Sequence, residues 1–248
     1  MSPAGRGTDW DVTLIGAGSL PMRDGLMAPK GELGDLVLVS NVVLLRGAAG
    51  TVLIDTAAGH LDAGWEGAES NLGAALAPYC AVEEVGTVIL THLDFDHFGG
   101  AADVPAGRVV VTAAAAAGAR AWDPAEDEGE IEVFARLAGR LDEVADGTEV
   151  VPGVRLVEAP GHRAGHACVE IDGRDGRRVF LSDVIHHPSH VEHPEWDCEF
   201  DSDRDMALRT RRDWLERLAG TGTPCAASHI DGWGTVEPGG DGLGWRPI

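Results

Sequence analysis

Short runs of apolar and β-branched residues recur along the chain with turn residues between them. They predict strands at Val12–Ile15, Leu36–Val39, Val42–Leu45, Val52–Ile54, Val88–Leu90, Val109–Val111, Val154–Val157, Cys168–Ile171, Val179–Leu181 and Pro224–Ala227. Helical patterns fall between them, over Ser70–Tyr79, the alanine run Ala113–Ala121, Glu130–Leu137 and Asp203–Leu218. The last is the clearest, because Ser202 is placed to cap it, Ala207, Trp214 and Leu218 recur on one face, and Gly220 ends it. Strands come paired at first and mixed with helices later, without a steady strand–helix alternation. That order fits an α/β four-layer αββα sandwich, helices outside two facing sheets, better than a doubly wound sheet.

No internal repeat is visible at the level of motifs. The acidic stretch Asp123–Glu132 reads as a solvated face or loop, and the glycine-rich tail of about 236–248 as flexible until Trp245 finds a packing partner. A chain of 248 residues buries about 70% of its surface on folding, so a single domain over 1–248 holds a sizeable core without help from disulfides.

Charge narrows the partners. The formal net charge of −22 repels nucleic acid and anionic membranes alike. No apolar run reaches the roughly 18 residues of a spanning helix, and the start, MSPAGRGTDWDV, lacks the basic-then-apolar order of a secretory leader. A soluble cytoplasmic protein acting on a small molecule is the expectation; oligomeric state is not readable. Cys80, Cys168, Cys198 and Cys225 form no C-x-x-C pair and read as buried thiols.

Five strand candidates end in, or within a few residues of, a His or Asp: Val-Leu-Ile-Asp55; Val-Ile-Leu-Thr-His92-Leu-Asp94-Phe-Asp96-His97; Val-Arg-Leu-Val-Glu-Ala-Pro-Gly-His162; Val-Phe-Leu-Ser-Asp183; and Cys-Ala-Ala-Ser-His229. Carboxyl ends of strands share one rim of a sheet, where α/β proteins gather ligands. Alternation along an extended stretch points His92 and Asp94 the same way. Asp96 and His97 splay apart and reach a second ion if the chain turns helical at Phe98-Gly99-Gly100, where glycines let the backbone pass close.

In this ordered set the chain resembles the metallo-β-lactamase superfamily, whose signature is HxHxDH followed by a Gly-His, an Asp and a final His. The resemblance spans positions 55 to 229 and implies two divalent cations, zinc foremost. One would be held by His92, Asp94 and His162, the other by Asp96, His97 and His229, with Asp183 bridging. It implies that Asp55 orients a ligand. His166 competes with His162 in the Pro160–His166 stretch; the family's order favours His162 as the ligand and leaves His166 a supporting role.

The departure is Asp94, where the family has its second histidine. A carboxylate is harder than imidazole, so manganese or iron also suits that group. Counting the ligands alone, an extra anion makes a bound water less acidic.

The activity implied is hydrolysis of a small ester or lactone by a metal-bound hydroxide, with Asp96 or Asp183 relaying the proton and His186 holding the oxyanion. Lactonases of this superfamily have a tyrosine in a place comparable to His186, and Tyr79, the single tyrosine, is far off in sequence. The His186-His187-Pro run resembles instead the branch shared with organophosphate-hydrolase-type relatives. Phe95, Phe98 and His187 are candidate pocket walls, with Trp65, Trp122 and Trp233 as further aromatic candidates. A thioester hydrolase shares every ligand, a di-iron oxidoreductase would need a flavin partner, and a weakly metal-binding, non-catalytic protein is the third alternative. The Gly16-Ala17-Gly18 stretch imitates a dinucleotide fingerprint but runs into Pro21 with no helix after it, and no G-x-S-x-G elbow is present.

Overall fold

The computed structural model describes residues 10–240 and 242–248. The first nine residues, on which the leader-peptide expectation rests, and Asp241 in the tail lie outside the described residues. Fourteen strands form two seven-stranded sheets. The first holds β1 (Asp11–Met22), β2 (Leu36–Gly47), β3 (Gly50–Ile54), β4 (Glu69–Ser70), β5 (Thr87–Ile89), β6 (Arg108–Thr112) and β7 (Leu141–Val144), in the order β4-β1-β2-β3-β5-β6-β7. The second holds β8 (Glu149–Val151), β9 (Val154–Glu158), β10 (Ala167–Gly173), β11 (Gly176–Phe180), β12 (Cys225–Ala226), β13 (Gly234–Gly239) and β14 (Gly242–Pro247), ordered β14 through β8. The helices are α1 (Leu72–Leu76), α2 (Phe95–Phe98), α3 (Ala113–Ala119), α4 (Glu128–Leu137), α5 (Ser189–Glu192) and α6 (Arg204–Leu218).

Strands that are apolar on both faces make the layers. Along β2, Val43 and Leu45 face the second sheet and pack with Val154, Leu156, Val169, Ile171 and Phe180, while Val42 and Leu44 face outward with Leu76, Phe98, Ala116 and Leu137 of the helices. The outer face of the second sheet is covered by α6 through Trp214, Leu215 and Leu218, each fully buried side chain of this kind contributing about 1.5–3 kcal/mol. The four-layer αββα order is therefore present.

Three expectations are corrected. The strands predicted over 36–39 and 42–45 are one strand, because the polar pair Ser40-Asn41 between them is buried, its side chains donating to the carbonyls of Asp96 and Ala227. The tail is not a flexible segment: β13 and β14 pair antiparallel from Gly234↔Pro247 to Gly239↔Gly242, and Trp245 covers Gly234, where any Cβ would meet its ring at 2.3 Å. The cap of α6 is Asp203, whose carboxylate accepts from Met206 N at 2.9 Å; Ser202 instead bonds back to the loop at His162. The acidic stretch becomes in part the first turns of α4. The Gly16–Gly18 stretch lies inside β1, and no helix follows it.

Candidate metal centre

The parallel run β3, β5, β6 and the parallel pair β11, β12 bring their carboxyl ends to one rim. There the backbone bends sharply: Asp55, Ala57 and Ser182 all have left-handed φ (60°, 55° and 51°) although none is glycine. Gly99 and Gly100 close in on this bend, since a Cβ would lie 1.9 Å from the Ala58 carbonyl oxygen and 2.3 Å from that of Thr56. This close approach seats α2, and with it Asp96 and His97, against the strand ends.

One group consists of Asp96, His97 and His229, whose donor atoms all lie within 4.8 Å of one another. His97 Nδ1 bonds Asp55 Oδ2 at 2.9 Å and His229 Nδ1 bonds the Val39 carbonyl at 2.9 Å. Asp55 is itself fixed by the Thr91 N–H and hydroxyl, both at 2.8 Å. Asn41 grips the His229 loop, donating to the carbonyls of Ala227 (3.0 Å) and Ile230 (2.7 Å).

The other group is His92, His162 and Asp183. His92 Nδ1 faces the Thr91 hydroxyl at 3.2 Å, and His162 Nδ1 faces Asp201 Oδ1 at 3.0 Å. Asp201 is paired in turn with Arg211, a buried arginine that also donates to the carbonyls of Val184, Pro194 and Trp196. Asp94 stands beside this group, its Oδ2 3.9 Å from His92 Nε2 and 3.6 Å from His162 Nε2.

With every Nδ1 facing an oxygen, the four Nε2 atoms turn inward. Asp183 Oδ2 lies 3.3 Å from His97, 3.4 Å from His162, 3.5 Å from His229 and 3.9 Å from His92. Donor atoms around a tetrahedral ion at about 2.0–2.1 Å stand about 3.3 Å apart, which the spacings to His97, His162 and His229 match and the one to His92 exceeds. The Nε2 atoms of His92, His97 and His162, and Asp183 Oδ1, are buried without a hydrogen-bond partner, which a native interior tolerates where an ion satisfies them. The residues fit divalent cations.

The electrostatics are those of mutually charged neighbours. Burial opposes the protonated form of His97, yet Asp183 and Asp96 outweigh it and hold its pKa well above the ordinary value. Burial likewise opposes the charge on His162, but Asp201, Asp94 and Asp183 raise its pKa to about 9. Burial and the neighbouring His97 push His92 well below the ordinary range. Asp183 would be raised by burial, but His97 and His229 hold it well below the usual carboxylate range.

A family model described as the metallo-beta-lactamase superfamily matches residues 35–219. The chain belongs to that superfamily. Among curated relatives, a probable metallo-hydrolase of Mycobacterium bovis, Mb2322c, is 30% identical over 189 residues, covering 61% of this chain and 58% of its own length. Its Mycobacterium tuberculosis counterpart, Rv2300c, gives the same figures, so the match spans less than two thirds of these relatives. Similar solved structures include AidC, a dizinc quorum-quenching lactonase in complex with a product (17% identity, TM-score 0.83, 98% of this chain and 96% of that one), and the hydrolase AbOPH (22%, 0.81, 97% and 94%).

Around this metallo-β-lactamase centre lies a cavity of about 840 Å³. Phe95, Trp65, Leu20, Met22 and Phe200 line it together with Asp94, Asp96, His162, Asp183, His186 and His229, and Trp122, Glu126, Asp127 and Glu130 line it as well. His186 turns Nε2 to within 3.4 Å of Asp183 Oδ2. His166 is kept out of the ligand set: its Nδ1 bonds the Ala159 carbonyl at 2.8 Å, its Nε2 accepts the Asp183 N–H at 3.1 Å, and burial with the nearby His162 lowers its pKa to about 4.

Two pocket expectations are corrected. Phe98 is fully buried in the outer core, its ring 5.7 Å from Trp122, and does not line the cavity. His187, one residue beyond His186, falls on a separate groove beside Val37, Pro188 and Trp245 and bonds Ser189. Trp233 packs between the sheets, with Arg178 over its ring at 5.7 Å, and Tyr79 is on the surface, bonded through its carbonyl to Arg46.

The sequence reading missed Asp201, Arg163, Arg211 and Asn41. Arg163 Nε donates to Asp94 Oδ1 at 2.7 Å, so a charge count over the ligands alone omits a cation. Its one available signal was adjacency to His162 in Gly161-His162-Arg163.

Proposed function

We propose that the chain is a hydrolase of a small neutral ester or lactone that works with two divalent cations. One observation carries the reading: a single oxygen, Asp183 Oδ2, stands 3.3–3.9 Å from ring nitrogens of both ligand groups. His92, Asp94 and His162 would hold one cation, Asp96, His97 and His229 the other, with Asp183 between them. Held by these residues, two divalent cations would supply Lewis-acid chemistry, polarising a carbonyl and lowering the pKa of water.

The chain's own residues supply the rest. Asp96 and Asp183, buried carboxylates that only accept hydrogen bonds when ionised, are the groups able to take the proton and pass it on. His186 is buried and lines the cavity, and burial lowers its pKa against the pull of Asp183. Its Nε2, 3.4 Å from Asp183 Oδ2, is the ring atom that would turn to a carbonyl oxygen growing negative. Leu20, Met22, Trp65, Phe95 and Phe200 give the acyl part an apolar wall. Glu126, Asp127 and Glu130 on the same cavity, with the chain's charge of −22, disfavour an anionic substrate. The names of the mycobacterial relatives and the lactonase structures of similar fold support the same direction.

The test is metal quantification on the purified chain, reconstituted with zinc or with manganese, paired with hydrolysis of a mixed lactone, ester and thioester panel. Two equivalents of metal and turnover of lactones or esters ahead of thioesters are expected. Less than one equivalent after reconstitution, or cleavage of thioesters alone, overturns the reading.

A further inference from the structure

The two carboxylates of the His92–His97 segment are held differently. Asp96 has histidines beside it, His97 at 3.5 Å and His229 at 3.4 Å. Asp94 occupies the N-cap of α2, where a carboxylate ordinarily accepts from the first-turn amides, yet it makes no such bond. Its Oδ1 accepts Arg163 Nε at 2.7 Å, which leaves Oδ2 toward His162 and His92. The guanidinium is fixed at its far side as well: Nη1 donates to the carbonyls of His162 and Phe200 and to the Ser202 hydroxyl. Arg163 is thus anchored by backbone on the loop that carries His162 and by the segment that leads into α6.

We propose that Arg163 is a positioning residue that turns Asp94 from an anionic ligand with two available oxygens into a neutral donor with one. The inference rests on the metal-centre reading above. An arginine cannot lose its charge at working pH and offers a directed N–H, so it both cancels the Asp94 charge and blocks bidentate coordination. With Arg163 counted, the three carboxylates Asp94, Asp96 and Asp183 leave the charge of two, the count a histidine at position 94 would give. The group of His92, Asp94 and His162 then behaves toward a cation as two imidazoles and a neutral third donor, a set that suits zinc.

The experiment is a cycle of four full-length proteins: wild type, Arg163→Met, Asp94→His and the double variant. The readout is the ratio of zinc to manganese affinity, measured by competition with chromophoric chelators. Freed from Arg163, Asp94 becomes a harder and more anionic ligand, so Arg163→Met is expected to lower the zinc-over-manganese ratio roughly tenfold. In the Asp94→His background the same substitution should change the ratio by less than about twofold. An equal change in both backgrounds overturns the proposal and leaves Arg163 as a tie for the loop, and no change in the native background overturns it too. If Arg163→Met does not fold, Arg163→Lys in the same cycle keeps the charge but loses the fork, and a change in the ratio that depends on Asp94 is again required. A wild-type chain that binds two metals beside an unaffected Arg163 variant defeats this inference alone; a wild-type chain that binds none defeats the metal-centre reading.

Discussion

His97 and His229 are oriented by the framework itself, through Asp55 at the end of β3 and the Val39 carbonyl within β2. His162 is oriented by Asp201, which depends on Arg211 of α6, and Asp94 by Arg163, both outside the sheets. Burial separates only one pair from the rest: the side chains of His92, His97, His162 and His229 are at most 5% exposed, whereas those of Asp94 and Arg163 are 24% and 34% exposed. The half with His97 and His229 is therefore built into the rim, and in the other half His92 shares that rim through Thr91 while His162 and Asp94 are held by loop and helix residues. The difference teaches that the two halves fail in different ways, the first when a ligand is removed and the second when a distant partner is.

The largest effect is expected from His97→Ala. It should remove one equivalent of metal and lower turnover by more than the roughly hundredfold that loss of an orienting partner costs; elemental analysis and lactone hydrolysis check both, and full activity would break the assignment. Next come the two orienting carboxylates. Asp55→Asn and Asp201→Asn should each weaken metal binding by about 10–100-fold. Asp201→Asn leaves a buried arginine without its carboxylate and should lose about 3 kcal/mol of stability, more than Asp55→Asn, where His97 keeps Asp96 and Asp183 beside it; urea unfolding of the metal-free variants measures the difference. Equal stability losses would erase the distinction between a rim-built and a clamped half.

A smaller effect follows from protons competing with cations. Free histidine titrates near 6.5, and the folded chain raises His162 to about 9 against the pull of burial, through Asp201, Asp94 and Asp183. A raised pKa stabilises the fold fully below about 6.5 and is lost as pH climbs through about 9. Chelator-stripped protein should therefore melt at falling temperatures between those limits, while zinc-loaded protein, its imidazoles already deprotonated, should not. A melting temperature that stays level or rises over that range in stripped protein contradicts the account.

The ligands were legible in the sequence because each follows an apolar run short enough to be a strand, and the ends of parallel strands meet at one rim. Their supports were not, for definite reasons. Asp201 lies 39 residues beyond His162 and Arg211 lies within α6, and no periodicity links either to His162. Asn41 fell between two predicted strands, since a polar pair inside a strand is rare unless something is bound to it; here that is the His229 loop. The β13–β14 hairpin escaped because Gly239 to Gly244 carries composition typical of a linker, while the hairpin is held by antiparallel pairing from Gly234↔Pro247 to Gly239↔Gly242 and by Trp245 over Gly234. Phe98 was placed in the pocket by proximity to ligands, although α2 turns it toward the helices instead.

The last expected effect is an acid one, and it leaves ligand identity untouched. His190 donates Nε2–H to the Met27 carbonyl at 2.7 Å and accepts the His186 N–H at Nδ1 at 3.3 Å, so it must stay neutral to hold both. Burial, helped by the charge of Arg211, lowers its pKa to about 3. The unfolded chain takes a proton on this ring below about 6.5 and the folded chain does not, so stability is lost as pH falls from 6.5 toward 3, at about 1.4 kcal/mol per pH unit. His166, at about 4, adds a similar slope over most of that range. Glutamine at position 190 keeps a donor and an acceptor without titrating, so His190→Gln should make the decline between pH 6.5 and 4 shallower by about that slope. Denaturant midpoints across that range measure it, and parallel curves for variant and wild type would show that His190 is protonated in the folded chain. Because the ring ties the Met27 loop to His186, and not to β2 or β3, acid should loosen the cavity wall beside Asp183 while His97 and Asp55 stay paired, so amide exchange at Met27–Gly31 should quicken before exchange at Thr91.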